Sequence, residues 1–484
     1  MFKFIRLFQK KKLVLFNLSL LFFTNEATSI SATSLKSIQG SAPYLIFDGQ
    51  QSDDLSPLLT VKLPAPDGIT TITKNTNSSA NDPIILASNT KFSDIETFVK
   101  LPSENNTYPK IQLSNVLANS WGDEDGDEVN FASNNESLTL SWSDNEGNSL
   151  TEEIKNNQNM ELDPCYAPYK LTLSADQFTL RTDYGVPRDS NYQSVAHDYY
   201  FYPEISSGVK FCYAQPNLDN QDNFDTNSWK KNIGFVTYDK NNPEKNFPTV
   251  GSNNLFFDIK FVGNLSVKNI IKFNGDVVTN SRSQIKLNLS EHDGKLRVTL
   301  KGPRYNNFLT DFKNSYFVLY ADENQTKPFY SFIIKRWFIA YPYAPISYEL
   351  IDERRCYEQL STQNTKYFVP NVLDFTNADS GDGDPLEWQH GIQGVGPNYQ
   401  RKISFQRERG LWIGGLFTEW GKVTQEYYPD SDWPKYDHDA YYWTMDRRKK
   451  ENKNQHYVVG TNTGLISFKE DTNNTIYSSC VAWE

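Results

Sequence analysis

Four cysteines, Cys165, Cys212, Cys356 and Cys480, constrain this 484-residue chain more than any other feature. An even count in an exported protein favours disulfides, and four cysteines allow about three connectivities. Pairing Cys165 with Cys212 and Cys356 with Cys480 keeps each bridge inside one candidate domain. With loops of these lengths, each bridge would contribute about 4 to 5 kcal/mol before strain is subtracted. No C-x-x-C spacing occurs, so zinc and redox readings have little support. The second pair brackets the last quarter of the chain, which holds GLWIGGLFTEWG (Gly410–Gly421), DAYYWTMD (Asp439–Asp446), HYVVGTNTG (His456–Gly464) and the closing IYSSCVAW (Ile476–Trp483).

The oxidising compartment that disulfides need matches the N-terminus. Lys3, Arg6 and Lys10–Lys12 precede an apolar run of 11 residues, Leu13–Phe23, and small residues follow at Ala27–Ala32. That is a secretory signal over residues 1–29, with an uncleaved anchor as the alternative. The run is too short to span a bilayer, which takes about 20 residues. Removing residues 1–29 takes away five basic residues and Glu26, leaving 43 basic and 58 acidic residues and a net charge of −15. A negative surface without a basic patch argues against nucleic acid or anionic lipid as partner. Membrane association is expected only through a partner.

Alternating apolar positions set the fold class. Leu138, Leu140 and Trp142 point one way while Thr139 and Ser141 point the other, and SDNEGN (Ser143–Asn148) can close a hairpin. The clearest pair is Ile285–Ser290 with Leu296–Leu300 around Asp293-Gly294. Cys212 falls in the strand-like VKFCYA (Val209–Ala214). From Ser347 a helix is expected to about Leu360, with Leu350, Cys356, Tyr357 and Leu360 on its inward face. The expected organisation is mainly β: an Ig-like β domain over 30–160, a β-sandwich over 161–340, and an α+β C-type-lectin-like domain over 341–484.

Nine stretches then fall in a characteristic order. They are PYKLTLSA (Pro168–Ala175), TDYGVPRDSNY (Thr182–Tyr192), DYYFYP (Asp198–Pro203), KFCYAQPNL (Lys210–Leu218), IIKRWFI (Ile333–Ile339), VPNVLDFTNA (Val369–Ala378), LFTEWG (Leu416–Gly421), YYWT (Tyr441–Thr444) and HYVV (His456–Val459). In these, the chain from about Cys165 resembles the adhesion region of enterobacterial invasin- and intimin-type surface proteins, specifically the invasin-E-type adhesion domain. The resemblance implies attachment to a host-cell or bacterial surface protein or glycan through a C-type-lectin-like tip on an Ig-like stalk. Relatives commonly place an outer-membrane β-barrel and many Ig-like repeats before the tip. Here a signal and one short region precede it, so the protein is expected to be released, or held by a partner, at the cell surface, outside the cell or in the periplasm.

Candidate sites are few. Asp123, Asp125 and Asp127 in WGDEDGDE have the alternate spacing of a calcium loop but lack its bidentate acid, so a solvated acidic turn competes with a metal site. DSGDGD (Asp379–Asp384) has the same ambiguity. The carboxamide and carboxylate triplets of calcium-dependent sugar lectins are missing from the tip, and no cofactor is expected. Among the tip aromatics, Trp420 and Trp443 read as core, whereas Trp433 reads as exposed in an acidic loop with Asp430, Asp432, Asp437 and Asp439; Trp412 is a further candidate contact. That loop would suit a cationic partner patch. For enzymatic alternatives, the five histidines show no H-E-x-x-H spacing and no G-x-S-x-G elbow occurs. Glu419 is the one acid worth testing in a secreted carbohydrate-active enzyme. An envelope assembly subunit is a third reading.

Overall fold

In the computed structural model, the described residues are 40–484 without 66–67, 102–107, 206–207, 220–221, 308, 342–344, 352–353, 381–387, 408–409, 436–439 and 449–453. The signal reading at 1–29 therefore lies outside them. The chain is mainly β and divides into two compact units, Met1–Glu204 and Ile205–Glu484. No helix among the described residues is long and apolar enough to cross a membrane.

In the first unit, Tyr169–Ala175 lies between Ser137–Ser143 and Val195–Pro203 in a five-stranded sheet. Leu138, Leu140 and Trp142 face inward as the alternation requires, and they join Leu171, Leu173, Tyr199 and Phe201 in one core. A three-stranded sheet centred on Phe178–Thr182 contributes Phe178, Leu180 and Tyr192 to the same core. The strands expected to open a sandwich beginning at 161 are thus completed by Ser137–Ser143, because its outward Thr139 and Ser141 leave a wholly apolar inward row for them to cover.

The second unit is built on a seven-stranded sheet. Its order is Trp229–Lys230, Gly234–Phe235, Val209–Gln215, Phe256–Gly263, Lys295–Lys301, Lys286–His292 and Val277–Thr279. The Asp293-Gly294 turn closes the expected hairpin, with φ of 48° and 70° at its two central residues, the left-handed geometry that such two-residue turns need. Ile285, Leu287, Leu289, Leu296, Val298 and Leu300 all point into the core.

A second sheet crosses the boundary expected at 340. Val250–Ser252 runs parallel to Arg336–Ala340, which pairs antiparallel with Ser479–Trp483, and that strand pairs with Tyr367–Phe368. Residues from Phe211 to Ala482 accordingly share one hydrophobic core. The part after 341 has short helices, long loops and a three-stranded sheet of Tyr441–Arg447, Gln455–Gly460 and Ile466–Glu470.

Cys356 is fully buried and bonded to Cys480, with Cα atoms 5.4 Å apart. None of the four cysteines is free. The helix expected from Ser347 is instead a 3₁₀ turn, Tyr348–Leu350, followed by a π-turn, Arg354–Glu358. Cys356 and Leu360 face inward as expected, whereas Leu350 and Tyr357 are exposed. The 3₁₀ and π turns do not share the 100° period of one α-helix, so the single inward face expected for all four residues is kept only by Cys356 and Leu360.

Candidate functional site

The tip aromatics are committed to packing. Trp420 donates from Nε1 to the Val250 carbonyl at 2.9 Å, and Trp433 donates from Nε1 to Ser252 Oγ at 2.9 Å. Two rings are thus anchored on one three-residue strand, and Trp443 is fixed by a 2.8 Å bond to the Ile346 carbonyl. The expectation that Trp433 is exposed is overturned: it is 1 % accessible and packs against Phe417 and Tyr442. Ser252 supplies a buried acceptor for its indole N–H, so burying the ring leaves no polar group unsatisfied.

Trp412, the other candidate aromatic, is also buried. Its face lies 4.7 Å from the Arg336 guanidinium, which sits against Trp483 at the same distance and is paired with Asp374. Burial raises the Asp374 carboxyl above its ordinary pKa, and Arg336 opposes that. This cluster is part of the packing rather than an open contact surface.

The acidic loop around Trp433 is divided. Asp432 is buried, where it accepts from Arg304 and from Asn253 Nδ2; burial pushes its pKa up and Arg304 opposes. Asp430 is exposed at φ 67°, and its carbonyl accepts from Asn254 Nδ2 at 2.5 Å. Asp437 and Asp439 lie outside the described residues. An acidic face made by all four is therefore reduced: Asp432 is already neutralised by a cation of the same unit, because a carboxylate drawn into the core needs a partner there.

Asp123 turns inward on its own loop, with Oδ1 accepting from the Asp125 and Asp127 amides at 2.9 and 3.3 Å. Asp125 accepts from the Ser41 amide. Among the described residues no three carboxylate, histidine or cysteine side chains gather as a metal site would require. Most of the DSGDGD stretch, from Gly381 on, lies outside the described residues.

Glu419 is fully buried within the short helix Leu416–Trp420. Its carboxylate accepts from the Thr249 amide at 2.8 Å, the Ser404 amide at 2.9 Å and the Thr249 hydroxyl. Desolvation raises its pKa while these donors pull it down. Gly415 and Gly421 flank the helix at φ 100° and 73°. A Cβ would stand 1.8 Å from the Asp374 carbonyl at the first and 2.1 Å from Arg401 Nη1 at the second. Gly415 and Gly421 are thus required by close approach.

Two open concavities of the second unit lie along the outward face of the seven-stranded sheet. A cleft of about 380 Å³ is lined by Lys286, Lys301 and Arg304 together with Asn253, Asn254, Gln284 and Asn307. A neighbouring cleft of about 610 Å³ shares Asn254 and Lys301 and extends past Asn288, Arg297 and Thr299 to Asp430. Sequence reading missed these basic residues. Their signal was the alternation in IKLNLS and LRVTLK, which turns Lys286 and Lys301 outward, and the Asp-Gly turn, which sets them opposite each other.

No family model matches the chain, and no curated protein does. Among solved structures, it is similar to the C-terminal 282-residue fragment of intimin in complex with the intimin-binding domain of the translocated intimin receptor. The identity is 12%, the TM-score is 0.28, and the match covers 65% of this chain and 76% of that one.

Proposed function

We propose that this is an exported adhesin-like binding protein, acting through its C-terminal unit on a cell-surface protein or glycan, and not an enzyme. The observation that carries this is the ordered run of nine stretches resembling the invasin-E-type adhesion domain. Fully oxidised cysteines support export, since such bonds persist outside reducing compartments. The layout after 341, with long loops and a closing strand stapled to an early turn, supports a C-type-lectin-like subdomain. An Ig-like reading of the first region rests on its paired β-sheets around one core.

Binding is the role the geometry favours. Glu419, the one acid worth testing for an enzyme, has its oxygens occupied by internal donors, while the open clefts are polar and lie on a β-sheet. Binding sites on rigid elements keep their geometry without reorganisation. The test is retention of the purified, oxidised full chain on a panel of host cells, bacterial cells and arrayed glycans. Saturable binding to a subset supports the proposal; no binding anywhere on the panel contradicts it.

A further inference from the structure

We propose that the cleft between the Lys286–Lys301 pair and Arg304 is a subsite for an acidic saccharide, a sugar bearing a carboxylate or sulfate group. This deepens the binding role proposed above and rests on it.

The register pairs Lys286 directly with Lys301 across the hairpin. Like charges placed so oppose each other and gain from an anion between them. Arg304 adds a third cation to the same cleft, and no carboxylate is among the described residues that line it. Asp432 neutralises part of this charge from beneath through Arg304, so a net positive cleft remains. It stands on a chain whose formal net charge is −11, which makes it a local exception and not part of a general basic surface.

The remaining lining suits a ring with hydroxyls. Gln284 and Asn307 are exposed carboxamides at the rim, each able to donate and to accept. Asn253 and Asn254 are held internally: Asn253 Oδ1 accepts from the Gly302 amide, and Asn254 Oδ1 accepts from Lys301. The second bond fixes the Lys301 ammonium at the floor of the cleft, so an anion meets a positioned charge. About 380 Å³ accommodates one or two sugar rings. A long polyanion would extend beyond this small cleft over a chain whose formal net charge is −11, which disfavours nucleic acid.

The experiment uses the oxidised full chain and three probe sets on one array: oligosaccharides ending in sialic or glucuronic acid, sulfated oligosaccharides, and the neutral parents of both. The expected result is binding of acidic over neutral members, weakened by added salt. The Lys286→Gln/Lys301→Gln pair is expected to lower that affinity about tenfold while leaving the unfolding midpoint unchanged or raised. The carboxylate and sulfate arms show which anion is preferred. Equal binding of acidic and neutral probes, or undiminished binding by the double variant, overturns the proposal. If the chain binds cells yet no acidic saccharide, this inference fails and the adhesive role stands; if it binds neither, both fail.

Discussion

Thr249 donates twice to Glu419, from its amide at 2.8 Å and from its hydroxyl, and so ties the start of the strand Val250–Ser252 to the helix Leu416–Trp420 across 170 residues of sequence. With Ser404 as a third donor, the carboxylate is an internal crosspiece. Glu419→Ala strands these buried donors, and the expected loss is about 3 kcal/mol or more, measured by denaturant unfolding. Thr249→Ala, which removes only the hydroxyl, should cost less. Unchanged stability in Glu419→Ala would contradict the assignment.

Trp433 is predicted to behave as a core residue. Trp433→Ala should cost about 3 to 5 kcal/mol, whereas an exposed ligand-contacting ring would change stability by about 0.5 kcal/mol or less. The readout is the unfolding midpoint, and a near-neutral result would restore the exposed reading.

Two alanine substitutions at left-handed glycines separate backbone strain from crowding. Gly294→Ala sits at φ 70° with no atom within 4 Å of the new Cβ, and should cost about 1 to 2 kcal/mol. Gly421→Ala sits at φ 73° but drives its Cβ to 2.1 Å from Arg401 Nη1 and 2.5 Å from Asn217 Oδ1. Arg401 is fully buried over Trp229 and bonds the Asn217 and Glu419 carbonyls, so it has no room to move aside. The loss there should exceed that of Gly294→Ala by about 1 to 3 kcal/mol, measured by chemical denaturation. Equal losses would show that the Arg401 cluster yields.

His456 sets a pH dependence. Arg447 Nε donates to Nε2 at 3.1 Å, which leaves the proton on Nδ1 facing Asp471 Oδ1 at 2.7 Å. Burial lowers the imidazole pKa below its ordinary 6.5, and the Asp471 hydrogen bond opposes the shift. The unfolded chain therefore binds the proton more readily, so the His456 contribution is present above about pH 6.5 and is lost as pH falls toward the lowered value. The slope from this one proton is at most about 1.4 kcal/mol per pH unit. Unfolding midpoints from pH 7.5 to 5.5 should fall more steeply in the wild type than in His456→Gln; parallel slopes would refute the assignment.

The Cys356–Cys480 bond spans 124 residues of sequence. Replacing both cysteines with alanine should cost about 4 to 5 kcal/mol on the chain-entropy account, read as a lower melting temperature. A melting temperature equal to that of the wild type would leave the bond without a structural role.

What the sequence disclosed was local. Period-two alternation placed Leu138, Leu140 and Trp142 inside, and the Asp-Gly turn fixed the register of the 286–301 hairpin, because both signals act over a few residues. Trp433 was misread because its acceptor, Ser252, lies 181 residues upstream in a strand of three residues that carries no alternation of its own. The surrounding aspartates suggested solvent, yet Asp432 is drawn in by Arg304, also distant in sequence. Near Cys356 the expected α-helix is replaced by a 3₁₀ turn and a π-turn, and the partner that Cys356 bonds lies 124 residues away, beyond the reach of any helical period. Lys286 and Lys301 were within reach, since the hairpin register alone sets them side by side.

We propose that the oxidised C-terminal unit binds a surface ligand without a cofactor. The most direct measurement is binding of the oxidised full chain to the cell and glycan panel, with and without EDTA, beside the same chain reduced and alkylated. The expected result is saturable binding to part of the panel, unchanged by EDTA and lost on reduction. Absence of binding, or binding that reduction leaves intact, would contradict it.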